Sequence, residues 1–145
     1  MELTWSKESV ILTQKNLIDN ITKTHLPLED HGRSGRNASL PLDDEFFKPQ
    51  KKDEKGLEDP EKRKYQAIIG GLLCLNRMTR PEILIQVNLL GRRSSNPTES
   101  NMKGALATLR YLSRTLSEGI MLKKPQNRNL IAHVDASYGG EKSRS

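Results

Sequence analysis

Apolar residues recur through residues 98–119 at the three- and four-residue spacing of one helical face: Met102, Ala105, Leu106, Leu109, Leu112 and Leu116. Thr98 stands at the expected N-cap, Glu99 just inside it suits the helix dipole, and Gly119 ends the run. The same spacing predicts a helix from about Glu61 to Met78, preceded by Pro60. Tyr65, Ile68, Ile69, Leu72 and Leu75 mark its buried side, with Leu73 beside them. Gly70-Gly71 in mid-helix costs roughly 1 kcal/mol per glycine against alanine, and such a pair is expected where another backbone comes close. Pro81 opens a further helix with Ile83, Leu84, Val87 and Leu90 on one side, and "GRRSSNP" breaks it. Near the N-terminus the β-branched run Val10 to Leu12 predicts a strand. Thr13 then takes an N-cap position, and Leu17, Ile18, Ile21 and His25 follow at helical spacing. At the other end "GIMLKK" predicts a strand, "PQNRN" a turn and "LIAHVDAS" a second strand.

These elements predict an α+β chain, mainly helical, in four parts. Residues 1–26 form a strand and a helix, 27–60 a disordered linker, 61–119 a three-helix segment, and 120–145 short strands. The linker is assigned by composition: it is rich in Pro, Gly, Ser and charge, with nine acidic and six basic residues. Residues 61–119 are expected to be the most ordered part and 27–60 the least. The chain has 145 residues and 34% hydrophobic content, enough for one modest domain but not for a core spread evenly along it. Cys74 is the only cysteine, so no internal disulfide forms and a reducing compartment is expected. No signal pattern opens the chain and no apolar run reaches the roughly 18 residues of a membrane span, so an intracellular, cytoplasmic or nuclear, non-membrane protein is expected.

The net charge of +6 is concentrated. From Lys62 to Arg128 there are thirteen Lys and Arg against three Glu. Lys103, Arg110 and Arg114 stand at i, i+7 and i+11 and fall within roughly 40° of one another, a basic stripe opposite the apolar one. "KRKY" at 62–65 and "GRR" at 91–93 add two clusters. Such a surface could track phosphates with salt-sensitive, sequence-tolerant binding, or simply be the solvated side of amphipathic helices. The six aromatic residues are not interleaved with these charges as a stacking platform would need.

Candidate catalytic chemistry is sparse. Asp135 closes the apolar run Leu130 to Val134 and is placed as one carboxylate of a metal site for phosphodiester chemistry, although a lone Asp at a strand end is more often a turn residue. Asp43 and Asp44 are adjacent but sit in the linker and read as solvated acids. His25, His31 and His133 are scattered without zinc spacing, and "IIGGLLC" lacks the Gly-Lys-Ser/Thr of a phosphate loop. Cys74, with no base beside it, reads as a small packing residue.

Four motifs then come in order: Tyr65 with Gly70 or Gly71 and the leucines after them; Thr79-Arg80-Pro81-Glu82-Ile83; Asn96-Pro97-Thr98 followed by Arg110-Tyr111-Leu112; and Asp135-Ala136-Ser137. Together they resemble the Pol polyprotein of copia-type (Ty-type) LTR retrotransposons. "LTWSKESVILTQKNLIDNI" is similar to the segment following that family's polymerase active site. The resemblance covers roughly residues 1–25 and 61–145. It implies that the helices correspond to a thumb and connection region that grips a primer–template duplex, with Arg80, Lys103, Arg110 and Arg114 as nucleic-acid contacts. It also implies that the C-terminal strand is the first of an RNase H domain, with Asp135 its first metal-binding carboxylate. Glu82 replaces the family's Asp, Ser137 a second Asp, and Tyr138 a Trp.

The family's Tyr-x-Asp-Asp polymerase motif is absent, and one carboxylate cannot hold the Mg²⁺ ions of the parent enzymes. The expectation is therefore a transposon-derived Pol fragment, a pseudogene product without catalysis or cofactor, with Asp135 vestigial unless the rest of a site is supplied. A small basic helical module that binds an RNA or DNA duplex is the second reading. An active RNase H or polymerase subunit is the third. The other expected partner is the remainder of a Pol polyprotein.

Overall fold

The computed structural model describes residues 1–27 and 54–125, together with Ala132 and Val134. In chain order the elements are β1 (Glu2–Trp5), β2 (Ser9–Thr13), α1 (Lys15–His25), α2 (Asp59–Met78), a 3₁₀ turn (Pro81–Ile83), α3 (Leu84–Gly91), α4 (Glu99–Arg114) and β3 (Ile120–Lys123). The fold is α+β and mainly helical.

The three strands form one antiparallel sheet in the order β1-β2-β3. Leu3 lies opposite Leu12, and Trp5 opposite Val10, across the first pair. Val10 faces Leu122, and Leu12 faces Ile120, across the second. The turn from β1 to β2 is closed by Ser6, whose amide donates to the Ser9 carbonyl at 2.8 Å and whose hydroxyl accepts from the Ser9 amide at 2.9 Å. β3 thus pairs with a strand more than a hundred residues earlier. The sequence had placed it in a hairpin with "LIAHVDAS", which lies mostly outside the described residues, as do residues 28–53 of the expected linker.

The core lies between the helices. Ile18 and Leu26 from the α1 region, Tyr65, Ile68, Ile69, Leu72 and Leu75 from α2, Ile83, Val87 and Leu90 from the α3 region, and Ala105, Leu109 and Leu112 from α4 form one buried cluster. The α2 and α4 stripes are those read from the sequence, with Met102, Leu106 and Leu116 half-buried at the edge. On α3 the reading is corrected at Leu84, which is exposed. The chain enters α3 through the 3₁₀ turn, which turns Leu84 outward, and Gln86 takes an interior place.

Two caps differ in kind. α4 begins with a capping box: the Thr98 side chain accepts from the Asn101 amide, and the Asn101 side chain accepts from the Thr98 amide at 3.0 Å. α1 has no side-chain cap of its own, and its N-cap is Gln14 rather than Thr13. Glu2 of β1 supplies the acceptor instead, taking the Lys15 amide at 2.8 Å, the Asn16 amide at 3.3 Å and the Thr13 hydroxyl at 3.1 Å. Partial desolvation pushes the Glu2 carboxyl up. The Asn16 and Lys15 amides, the Thr13 hydroxyl and the N-terminal ammonium outweigh it and hold the group below its ordinary value of 4.5.

The expected close approach at Gly70-Gly71 is made by a side chain, not a backbone. A Cβ on Gly71 would meet the tip of Ile21 from α1, whereas one on Gly70 would meet nothing. The backbone approach occurs at Gly119, where a Cβ would collide with the Leu12 carbonyl oxygen of β2.

Candidate nucleic-acid interface

α4 is held by its apolar side, so its polar side faces out. Lys103 and Arg114 are exposed there and Arg110 is half-buried between them. Lys103 is ion-paired with Glu99 one turn earlier at 3.0 Å, both side chains being about three-quarters exposed. Such a solvated pair is weak and salt-sensitive, and it leaves the ammonium able to exchange partners.

The fold joins two basic clusters that the sequence keeps apart. α2 and α3 run against each other, so the residues after α3 return to the first turns of α2. Gln66 Nε2 donates to the Ser94 carbonyl at 2.9 Å, and the buried Tyr65 hydroxyl donates to the Leu90 carbonyl at 2.7 Å. Arg93 therefore lies near Tyr65, which follows Lys62-Arg63-Lys64 on α2. Burial pushes the Tyr65 phenol well above its ordinary value, and the Arg93 charge opposes that only in part. Lys64 in turn lies near His25 at the end of α1. Burial first, and then the Lys64 charge, lower the His25 imidazole. Each cluster is visible in the sequence; their meeting is not, because it depends on the reversal at Thr79–Ile83.

Arg80 does not belong to this surface. Its side chain is 1% exposed. Nε donates to Glu82 at 2.6 Å, Nη1 to the Thr115 carbonyl at 3.0 Å and Nη2 to the Thr115 hydroxyl at 2.6 Å. Glu118 stands 3.8 Å from Nη2, and the Tyr111 ring lies 5.5 Å from the guanidinium carbon. The planar fork is consumed by the end of α4, where a cation also meets the negative end of the helix dipole. Its bonded donors are turned into the protein rather than out to solvent, unlike those of Lys103 and Arg114.

The residues that carry the family resemblance mostly build this frame. Thr79 donates its hydroxyl to Gln14 Oε1 at 2.8 Å, tying the end of α2 to the start of α1. Glu82 accepts from Arg80 Nε through its carboxylate. Pro97 accepts the Leu57 amide at 2.7 Å, Thr98 caps α4, Tyr111 stacks on Arg80, and Leu112 is in the core.

Among the described residues no group of three or more His, Cys, Asp or Glu side chains could hold a metal ion. Asp135, Asp43, Asp44, His31 and His133 lie outside the described residues. Cys74 is exposed rather than packed, with Gln14 Nε2 3.9 Å from its sulfur. No described helix is long and apolar enough to cross a membrane.

No protein-family model and no solved structure matches the chain. Curated proteins do. The retrovirus-related Pol polyprotein from transposon RE1 of Arabidopsis thaliana is 40% identical over 86 residues, 59% of this chain and 6% of that protein. Its counterpart from transposon RE2 is 35% identical over 86 residues, with the same coverage. A putative transposon Ty5-1 protein of Saccharomyces cerevisiae is 35% identical over 75 residues, 52% of this chain and 24% of that protein. The chain thus matches about 6% of the length of the two plant polyproteins. Plant and yeast matches support the resemblance read from the residues: over one segment the chain is similar to the Pol polyproteins of copia-type retrotransposons.

Proposed function

We propose that this chain is a non-catalytic piece of retrotransposon Pol, running from the end of the reverse transcriptase into the first strand of RNase H, and a pseudogene product. The observation that carries the reading is the set of bonds around Thr79-Arg80-Pro81. The motif that most specifically links the chain to Pol joins α1, α2 and α4 through Gln14, Thr115 and Tyr111, and so serves as scaffold rather than as chemistry. The 145 residues contain no Tyr-x-Asp-Asp, and Asp135 is the one carboxylate matched to a catalytic position. Mg²⁺ would need at least a second carboxylate held beside it. The test is Mg²⁺-dependent hydrolysis of an RNA–DNA hybrid, together with primer extension on an RNA template. Neither is expected above background. Cleavage by the purified chain that disappears in Asp135→Asn would overturn the reading.

The outward basic residues favour a second reading, a module that holds nucleic acid through its backbone phosphates. Lys103 and Arg114 on α4 are its first contacts, and Arg93 with Lys62-Arg63-Lys64 forms a separate patch. Fluorescence anisotropy with an RNA–DNA duplex would then show affinity falling steeply with salt. Lys103→Glu or Arg114→Glu would each lower the log–log slope by about 1. Absence of binding at low salt excludes this reading and leaves the first intact.

A further inference from the structure

The sheet register sorts its side chains into two unlike faces, because alternate residues of a strand point to opposite sides. One face carries two complete apolar rows, Leu3–Leu12–Ile120 and Trp5–Val10–Leu122. The other carries Thr4, Ile11 and Met121, flanked by Glu2 with Thr13 and by Ser9 with Lys123. The first face is not covered by the helices. Trp5 is 71% exposed, Leu122 56% and Leu3 49%, while Val10, Leu12 and Ile120 are half-buried; on the opposite face Met121 is 52% exposed but stands without a second apolar row. No charged side chain stands in either row, although the chain as a whole carries +6.

We propose that this face is a dimer interface and that its occupant is the same face of a second copy. The six side chains leave about 500 Å² of apolar surface in water, near the upper end of what a monomer usually exposes. Two such faces together reach about 1,000 Å², the lower bound for a specific interface and the size of a weak, reversible one. The arrangement is self-complementary. With β2 in the middle, a two-fold axis along it lays the β1 side of one copy over the β3 side of the other. The bulky pair Leu3 and Trp5 then meets the partner's Ile120 and the partner's Leu122, as in aligned sheet-on-sheet packing. The rows themselves oppose no like charges at short range, and Glu8 and Lys124, where the β2–β3 pairing continues, border them. This inference is independent of whether the chain binds nucleic acid or has any activity.

Sedimentation of the whole chain from about 1 to about 200 µM, the range expected for a weak interface, tests it. The mass is expected to rise from 16.4 kDa toward twice that value. The emission of Trp5, the sole tryptophan, is expected to shift to shorter wavelength in step. Leu122→Glu should weaken association at least tenfold. Met121→Glu, its neighbour on the opposite face of the same strand, should leave it unchanged and controls for loss of folding. A chain that stays monomeric throughout the range overturns the proposal, including one that instead takes up an apolar dye at Trp5. So does association lost in Met121→Glu, whether or not Leu122→Glu also loses it.

Discussion

At the scale of single residues, the two glycines in mid-α2 and the one before β3 behave oppositely. Gly70 is exposed on a helix with open space where a Cβ would go, so Gly70→Ala should raise stability by about 1 kcal/mol, read as a higher midpoint of urea unfolding. Gly119→Ala forces a methyl group into the Leu12 carbonyl and should lower the midpoint, because a backbone atom cannot move aside as a side-chain tip can. Gln86 is fully buried with neither end of its amide bonded among the described residues. Gln86→Met keeps the shape and removes the desolvated amide, and should stabilise by about 1 kcal/mol. Glu2 adds a pH dependence. Its folded-state value lies below the ordinary one, so its contribution is present above the carboxylate range and is lost as pH falls through the folded value. Thermal unfolding of Glu2→Gln should therefore show a lower midpoint than the parent at pH 7, with the gap closing on acidification.

At the scale of elements, the reversal at Thr79–Ile83 organises the helices. Arg80 carries the α2–α3 corner to the C-terminus of α4, and its substitution acts there rather than on ligand binding. Arg80→Met would strand the Thr115 carbonyl inside the protein, at a cost of about 1–3 kcal/mol, while the Thr115 hydroxyl keeps its bond to the Tyr111 carbonyl. Glu82 and Glu118 are partly solvated, so the cost stays below that of a fully buried broken ion pair. Chemical denaturation should register this loss. In any duplex-binding assay conducted under folding conditions, Arg80→Met should match the parent while Lys103→Glu does not. The sequence could mark Arg80 as basic and part of a recognisable motif, but both features are shared by a phosphate contact and a structural arginine. Only the burial of its fork separates the two.

At the scale of the whole molecule, the N-terminal strand–helix unit and the helical segment share one core. Ile18 and Leu26 belong to the same buried cluster as the α2 and α4 leucines, and β2 supplies the only described partner strand of β3. A chain reduced to residues 54–125 loses both. It should expose part of the α2 and α4 stripes, bind an apolar dye and unfold without a sharp transition, whereas the full chain should unfold cooperatively. Near-UV circular dichroism with a thermal scan distinguishes the two outcomes.

The amino-acid sequence by itself determined what depends on near neighbours. The apolar stripes of α2 and α4, the Thr98 cap, the strand at Val10–Leu12, the concentration of positive charge and the family motifs were all legible, because helical spacing, capping and local charge are set within a few residues. Tertiary structure decided what depends on distant ones. It brought Glu2 to the start of α1, paired β3 with β2, brought Arg93 near Tyr65 in the turn after Lys62–Lys64, turned Leu84 out and Arg80 in, and left the apolar rows of the sheet clear of the described helices. Each of these follows from which surfaces meet when the core closes, and a buried or exposed position is a property of that meeting rather than of the residue that fills it.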